Sequence, residues 1–291
     1  MRSLCVALLL FFGSLGVISV ILLLIPAAEH TMKREDVDVL NISRAGLTRL
    51  GGVSSNIYKG LEENGEVVFY VVHDPNEGEG ERTASVSTET CCSFFGDGIH
   101  WLDRNMPMKV YQSSLARDYM SQIEALWRQR TAIDLIGTVT QSNVPYTEQE
   151  ILASRSNGIN TVGYKILVGD FANALAIARI VVASGDQHIT HCSISVNADI
   201  GNICDATHNA SCYDLKSILN HEFGHCFGLM DEYASECALY LMYGSLAPGN
   251  IRKRSLDDVT QRCAVALYNG LPEEGEPVSS GSSRLRFSPF F

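Results

Sequence analysis

Two histidines four residues apart, His221 and His225, constrain this chain more than any other feature. They lie in the run His221-Glu222-Phe223-Gly224-His225-Cys226-Phe227-Gly228-Leu229-Met230-Asp231. The apolar spacing of Leu215, Ile218 and Leu219 before them reads as a helix from Asp214 to Phe227. On a helix, positions i and i+4 share one face, so both imidazoles leave the same side and can reach one ion at about 2.0–2.1 Å. Gly228 can take a positive φ, which ends the helix and turns the chain. That turn could return Asp231 as a third ligand, with Glu232 as the alternative, and three protein ligands leave a position open for water. Glu222 is then the general base rather than a ligand. The plain alternative is a pair of surface histidines on an ordinary helix.

These residues resemble the metzincin metallopeptidases, whose pattern is His-Glu-x-x-His-x-x-Gly-x-x-His or Asp followed by a Met-turn. Leu241-Met242-Tyr243-Gly244 is similar to that turn, with Met242 as its methionine. Tyr213 to His221, Ser255 to Val259, Gly158 to Thr161 and Ser195 to Asn197 resemble matrixins, over about 180 residues from Trp101 to Gly270. No histidine follows His225, so the resemblance implies Asp231 as third ligand, as in snapalysin-like members. Asp231-Glu232-Tyr233 resembles their Asp-x-Tyr and marks Tyr233 as a candidate oxyanion donor. Met242 is expected to pack beneath the site, a thioether being a weak ligand there. The Pro-Arg-Cys-Gly switch and the structural-zinc histidines of vertebrate relatives are absent. The resemblance implies an α+β fold: a metzincin-type catalytic domain with a twisted mixed sheet, an active-site helix, a Met-turn and a C-terminal helix. It implies a zinc endopeptidase acting on proteins or peptides, with one catalytic Zn²⁺. A zinc-bound but non-catalytic recognition ectodomain is the alternative. A disulfide-exchange protein is disfavoured, as no Cys-x-x-Cys occurs.

The N-terminus speaks of export. From Leu4 to Ile25 the chain is apolar, followed by Pro26-Ala27-Ala28 and charged residues. Residues 1–28 read as a signal peptide or a signal anchor, the run being longer than an ordinary cleaved signal and close to a bilayer span. Either puts the rest outside the cytoplasm, secreted or held by a single N-terminal membrane anchor. Of nine cysteines, Cys5 lies in that run and the other eight form an even set suited to disulfides. Cys204–Cys212 and Cys237–Cys263 are expected local pairs. Cys91 or Cys92 reads as a disulfide partner, with a zinc-holding thiolate as the alternative. Twenty-two basic against 33 acidic residues, a net charge of −11, exclude a general phosphate binder, so no nucleic-acid partner is expected. The chain is read as a monomer.

Residues 29–90 read as a propeptide or stalk, with one strand-like stretch at Val67–Val72 and an acidic, Gly/Ser/Thr-rich linker at 75–90. The catalytic domain is expected over 91–271 and a disordered tail over 272–291. Inside the domain, Met108–Tyr111, Ile133–Val139, Thr161–Val168, Ala174–Val182 and His188–Val196 read as strands. Ser113 or Ser114 caps a helix with the stripe Leu115, Tyr119, Met120, Ile123 and Trp127. Ser255 to Asp258 has the form of a capping box opening a last helix that stops at Gly270. The stretch His188 to Asn197 is expected to form the sheet edge on which an extended peptide pairs. His188, His191 and His208 are read as strand and loop residues rather than a second metal site. Asp170, Asp186, Asp199 and Asp205 are loop candidates for Ca²⁺.

Overall fold

The computed structural model describes residues 4–12, 18–26, 37, 39–50, 56–62, 65–74, 91–96, 98–102, 108–111, 114–135, 138–142, 160–183 and 188–268. The chain divides into two units, Met1–Lys33 and Arg34–Phe291. In the first, β1 (Leu4–Phe12) and β2 (Ile18–Pro26) pair antiparallel, Leu4 opposite Pro26 and Phe12 opposite Ile18. Among the described residues no helix is long and apolar enough to cross a membrane.

The second unit is a mixed α+β fold around one nine-stranded sheet. Its strands are β3 (Val39–Asn41), β4 (Thr48–Arg49), β5 (Ile57–Leu61), β6 (Val67–His73), β7 (Met108–Tyr111), β8 (Val139–Ser142), β9 (Asn160–Val168), β10 (Ala176–Val182) and β11 (Ile189–Asn197). They run in the order β4-β5-β6-β10-β11-β9-β7-β8, and β3 pairs with the far end of β9. From β4 to β11 each neighbour is antiparallel; β11, β9, β7 and β8 are mutually parallel. The helices are α1 (Ser114–Thr131), α2 (Leu215–Cys226) and α3 (Asp258–Tyr268). A short parallel pair, β12 (Ile203–Cys204) and β13 (Tyr213–Asp214), precedes α2.

Strands covered on both faces read as continuous apolar runs, and β10 is buried at all seven positions. On one face Phe69, Val71, Ala178, Ile180, Val182, Ile194 and Val196 meet α1, α2 and α3 through Met120, Ile123, Trp127, Leu219, Phe223 and Ala264. On the other, Val68, Tyr70, Val72, Ile177 and Val181 pack with Leu40, Leu167 and Phe171. The two-residue period of β6 therefore sets Phe69, Val71 and His73 on the helix side.

Several expectations are corrected here. Within the segment read as propeptide or stalk, β3 to β6 are strands of the sheet, because Val67–Val72 needs a partner on each edge and finds β5 and β10. The stretch Ile189–Asn197 is no sheet edge: β11 lies between β10 and β9, and the outer edge of β10 carries β6. The strand expected at Ile133–Val139 begins at Val139 instead. Leu115 is exposed, and Ala116 takes its place in the stripe of α1. Asp257, not Ser255, caps α3, accepting from the Thr260 amide at 2.8 Å. Ser113, the linker 75–90, Gly270 and the tail 272–291 lie outside the described residues.

Four disulfides join Cys91–Cys237, Cys92–Cys263, Cys192–Cys226 and Cys204–Cys212. The last is the expected pair. Cys237–Cys263 is not formed, since the vicinal Cys91 and Cys92 take one partner each. Thiols paired in this number place the protein in an oxidising compartment.

Candidate metal centre

Helix α2 is held at both ends by groups that ordinary helix physics calls for. Asp214 is its N-cap, accepting from the Ser217 amide at 2.9 Å. Burial alone would raise the Asp214 carboxyl, but Arg254, the Ser217 hydroxyl and two amides outweigh it and hold it below the usual range. At the other end Trp101 Nε1 donates to the Cys226 carbonyl at 2.7 Å and the Tyr268 hydroxyl to the Phe227 carbonyl at 2.8 Å, satisfying acceptors the helix leaves open. Cys192–Cys226 ties the same end to β11. Gly228 follows with φ +106°, and a Cβ there would stand 2.5 Å from the Ile99 carbonyl oxygen. The chain turns back and delivers Asp231 to the face of α2 that carries the histidines.

Four side chains converge: His221, His225, Asp231 and His73, the last residue of β6. Their ligand atoms all lie within 4.8 Å of one another. His73 Nε2 is 3.1 Å from His225 Nε2 and 3.8 Å from Asp231 Oδ2; Asp231 Oδ1 is 3.0 Å from His221 Nε2 and 3.6 Å from His225 Nε2. A tetrahedron with bonds of about 2.0–2.1 Å has edges of about 3.3–3.4 Å, so the spacing suits one small cation.

Protonation points the same way. His225 Nδ1 donates to the Leu229 carbonyl at 2.8 Å and His221 Nδ1 to the Leu241 carbonyl at 2.6 Å. Burial lowers both imidazoles, His221 to about 4, so each is neutral near pH 7 with its one proton on Nδ1. Each Nε2 then offers a lone pair to the cluster. With its proton on Nδ1, His221 turns a lone pair on Nε2 toward Asp231 Oδ1, 3.0 Å away, and both atoms are left without a donor among the described residues. Two acceptors so placed repel unless a cation sits between them. A metal ion could take that place.

Glu222 lies against the cluster without joining it. Its Oε1 is 3.4 Å from His73 Nε2, and Oε2 is buried with no partner among the described residues. Burial, then the Asp231 charge, pushes its carboxyl well up; a divalent ion in the cluster would oppose that rise. Burial would raise the Asp231 carboxyl, and His73, His225 and His221 hold it well below the carboxylate range only where those imidazoles carry protons. Asn56 Nδ2 donates to Asp231 Oδ2 at 2.5 Å. Beneath the site Lys253 Nζ donates to the Tyr243 carbonyl and lies 3.1 Å from His221 Nδ1. Burial lowers that ammonium to about 8, with Asp231 and Glu222 resisting.

Met242 is buried under α2, where a methyl on Gly224 would fall 2.3 Å from its Sδ. The turn around it is bonded to the strand-like residues after Asp231: the Glu232 amide donates to the Met242 carbonyl at 2.8 Å and the Gly244 amide to the Glu232 carbonyl at 2.9 Å. Glu232 points away from the cluster and accepts from the Ser93 hydroxyl at 2.7 Å, and burial raises it to about 7. The Tyr233 ring covers Gly244 and lies 6.3 Å from the Tyr243 ring. Cys91 and Cys92 are in disulfides and hold no free thiolate. Among the described residues this is the one group of three or more metal-binding side chains, so His188, His191, His208, Asp170, Asp199 and Asp205 form no second one. Asp205 is taken by Arg254 and Tyr119; Asp186 lies outside the described residues.

Sequence reasoning missed His73 and Asn56. Both come from the segment read as propeptide or stalk, and a lone histidine closing a strand carries no local sign of its partners. In comparisons with known proteins the chain matches no family model and no curated protein.

Proposed function

We propose that this protein is a zinc-dependent endopeptidase of matrixin-like, metzincin type, acting on proteins or peptides outside the cytoplasm. One observation carries the reading: a buried glutamate, Glu222, has an unpartnered oxygen beside a cluster of two tautomer-fixed imidazoles and a carboxylate. His221, His225 and Asp231 would hold the ion. A bound Zn²⁺ supplies Lewis acidity toward a peptide carbonyl and toward water. Glu222 Oε2 takes a proton from the attacking water and passes it to the nitrogen of the departing amine. Tyr233, two residues past Asp231, is the candidate donor to the oxyanion. Met242 and Leu241 set the height and rotation of α2 and of His221.

Purified protein should bind one zinc per chain and cleave an unfolded protein, and a chelator should stop it. Glu222→Ala should lower turnover by at least about 10²–10⁴-fold, the range of general-base catalysis, while the metal content stays unchanged. Full-rate cleavage by that variant sinks the mechanism. The second reading, a closed and non-catalytic metal domain, is favoured by His73, which gives the cluster four protein donors as in structural zinc sites. It predicts stoichiometric zinc with no cleavage by any variant.

A further inference from the structure

We propose that His73 is a displaceable fourth ligand that keeps the metal centre closed, making β3 to β6 an inhibitor built into the sheet. The inference rests on the peptidase reading above. A zinc site that works on water needs a position free of protein donors, and one with four protein ligands has none. His73 puts its Nε2 where that position must be, 3.4 Å from the Glu222 carboxylate that has to reach the reacting water. Its ring stacks on His225 with centroids 5.3 Å apart and meets His221 edge-on at 4.6 Å. Room for a substrate carbonyl at that point is therefore taken by an imidazole.

The way His73 is held differs from the other ligands. Its side chain keeps 10% of its surface exposed, while Asp231 and His225 have none and His221 has 5%. The Nδ1 atoms of His221 and His225 are pinned by carbonyls, and His73 has no such anchor among the described residues. Its position comes from the main chain: seven register pairs between β6 and β10, from Val67–Val182 to His73–Ala176, and the Leu175 amide donating to its carbonyl at 2.6 Å.

Strand β6 blocks in a second way. An extended peptide is bound most simply by adding to a free strand edge, and the outer edge of β10 beside the cluster is filled by β6. No disulfide reinforces that hold. The eight paired cysteines begin at Cys91, and the sequence has no cysteine between residues 6 and 90. Only non-covalent packing and the chain itself keep β3 to β6 in place.

The test compares the full chain with His73→Ala and His73→Gln, the second keeping side-chain volume, after circular dichroism shows each to be folded. Cobalt(II) replaces zinc as a visible reporter of coordination, zinc affinity is read by competition with a chelating dye, and a short fluorogenic peptide reports cleavage. The wild-type cobalt spectrum should be independent of pH between 6 and 9. In both variants it should change shape and become pH-dependent as water takes the vacated position. Zinc should bind at least tenfold more weakly, and peptide cleavage should rise at least tenfold. An unchanged spectrum with wild type cutting as fast as the variants overturns the inference and leaves the peptidase reading standing. A changed spectrum without cleavage by either variant overturns the peptidase reading instead, and His73 is then one ligand of a closed structural site.

Discussion

Asp231 accepts the Asn56 amide with one oxygen and faces His221 with the other, so its orientation is not left to its own rotamer. A polar group that aims a metal-binding carboxylate is commonly worth about 10–100-fold in metal affinity. Asn56→Ala should therefore weaken zinc binding by about that factor, measured by chelator competition, while Asn56→Asp should weaken it further by setting a like charge beside Asp231. Equal affinity in all three proteins would show the contact to be idle. Gly224 illustrates a different constraint, since its missing side chain is the space that Met242 Sδ fills. Residues of this kind divide by how local their cause is. His221, Glu222, His225, Gly228 and Asp231 could be read from the sequence because helical spacing and one turn bring them together. Met242 followed from its resemblance to a known turn. His73 and Asn56 could not be read, because the register of β6 on β10 carries them in and no short-range pattern encodes that register.

At the scale of elements, hydrophobic period located β7, β9, β10, β11 and α2 to within a residue or two, since each is largely buried. It failed where burial is incomplete or the signal shared: β8 is an incompletely buried strand at the sheet's edge, and the cap of α3 fell two residues from the expected serine. Strand β11 also carries a testable electrostatic load. His191 is buried in it with Nε2 unpartnered among the described residues, and burial, aided by the Arg179 charge, lowers its imidazole to about 3. The unfolded chain titrates it near about 6.5. Above that pH both states are neutral and the native fold carries no penalty. As pH falls from about 6.5 toward 3, only the unfolded state takes the proton, so stability contributed by a neutral His191 is lost across that window. Urea midpoints measured between pH 7 and 4 should fall less steeply for His191→Gln than for wild type. Parallel slopes would mean that His191 protonates equally well in both states. The metal ligands add the same sign in the metal-free protein, so the comparison is made with chelator present throughout.

At the scale of the whole molecule, a composition shift at 75–90 marks a linker but does not say that the strands before it pack into the same sheet as those after it. With that packing, a metal ion in the cluster would act as a fastener across the fold. His73 and His225 stand 152 positions apart and belong to a central strand and to the helix packed on it. An ion held by both, and by Asp231 after the turn, binds only the assembled state, so its binding free energy adds to folding. At a free zinc concentration about 100-fold above the dissociation constant, that addition is about 2.7 kcal/mol. For a domain of this size each kcal/mol moves the melting temperature by about 2–4 °C, giving a rise of about 5–11 °C over the chelated protein. Calorimetry should show one transition with zinc, with β6 and α2 protected together in hydrogen exchange. Because protons compete for the imidazoles only near their lowered values, the rise should hold from pH 7 to 5 and shrink as the pH falls toward 4. If zinc raises protection in α2 but leaves β6 unchanged, His73 is not bound to the ion, and the strand is held by its β5 and β10 neighbours alone.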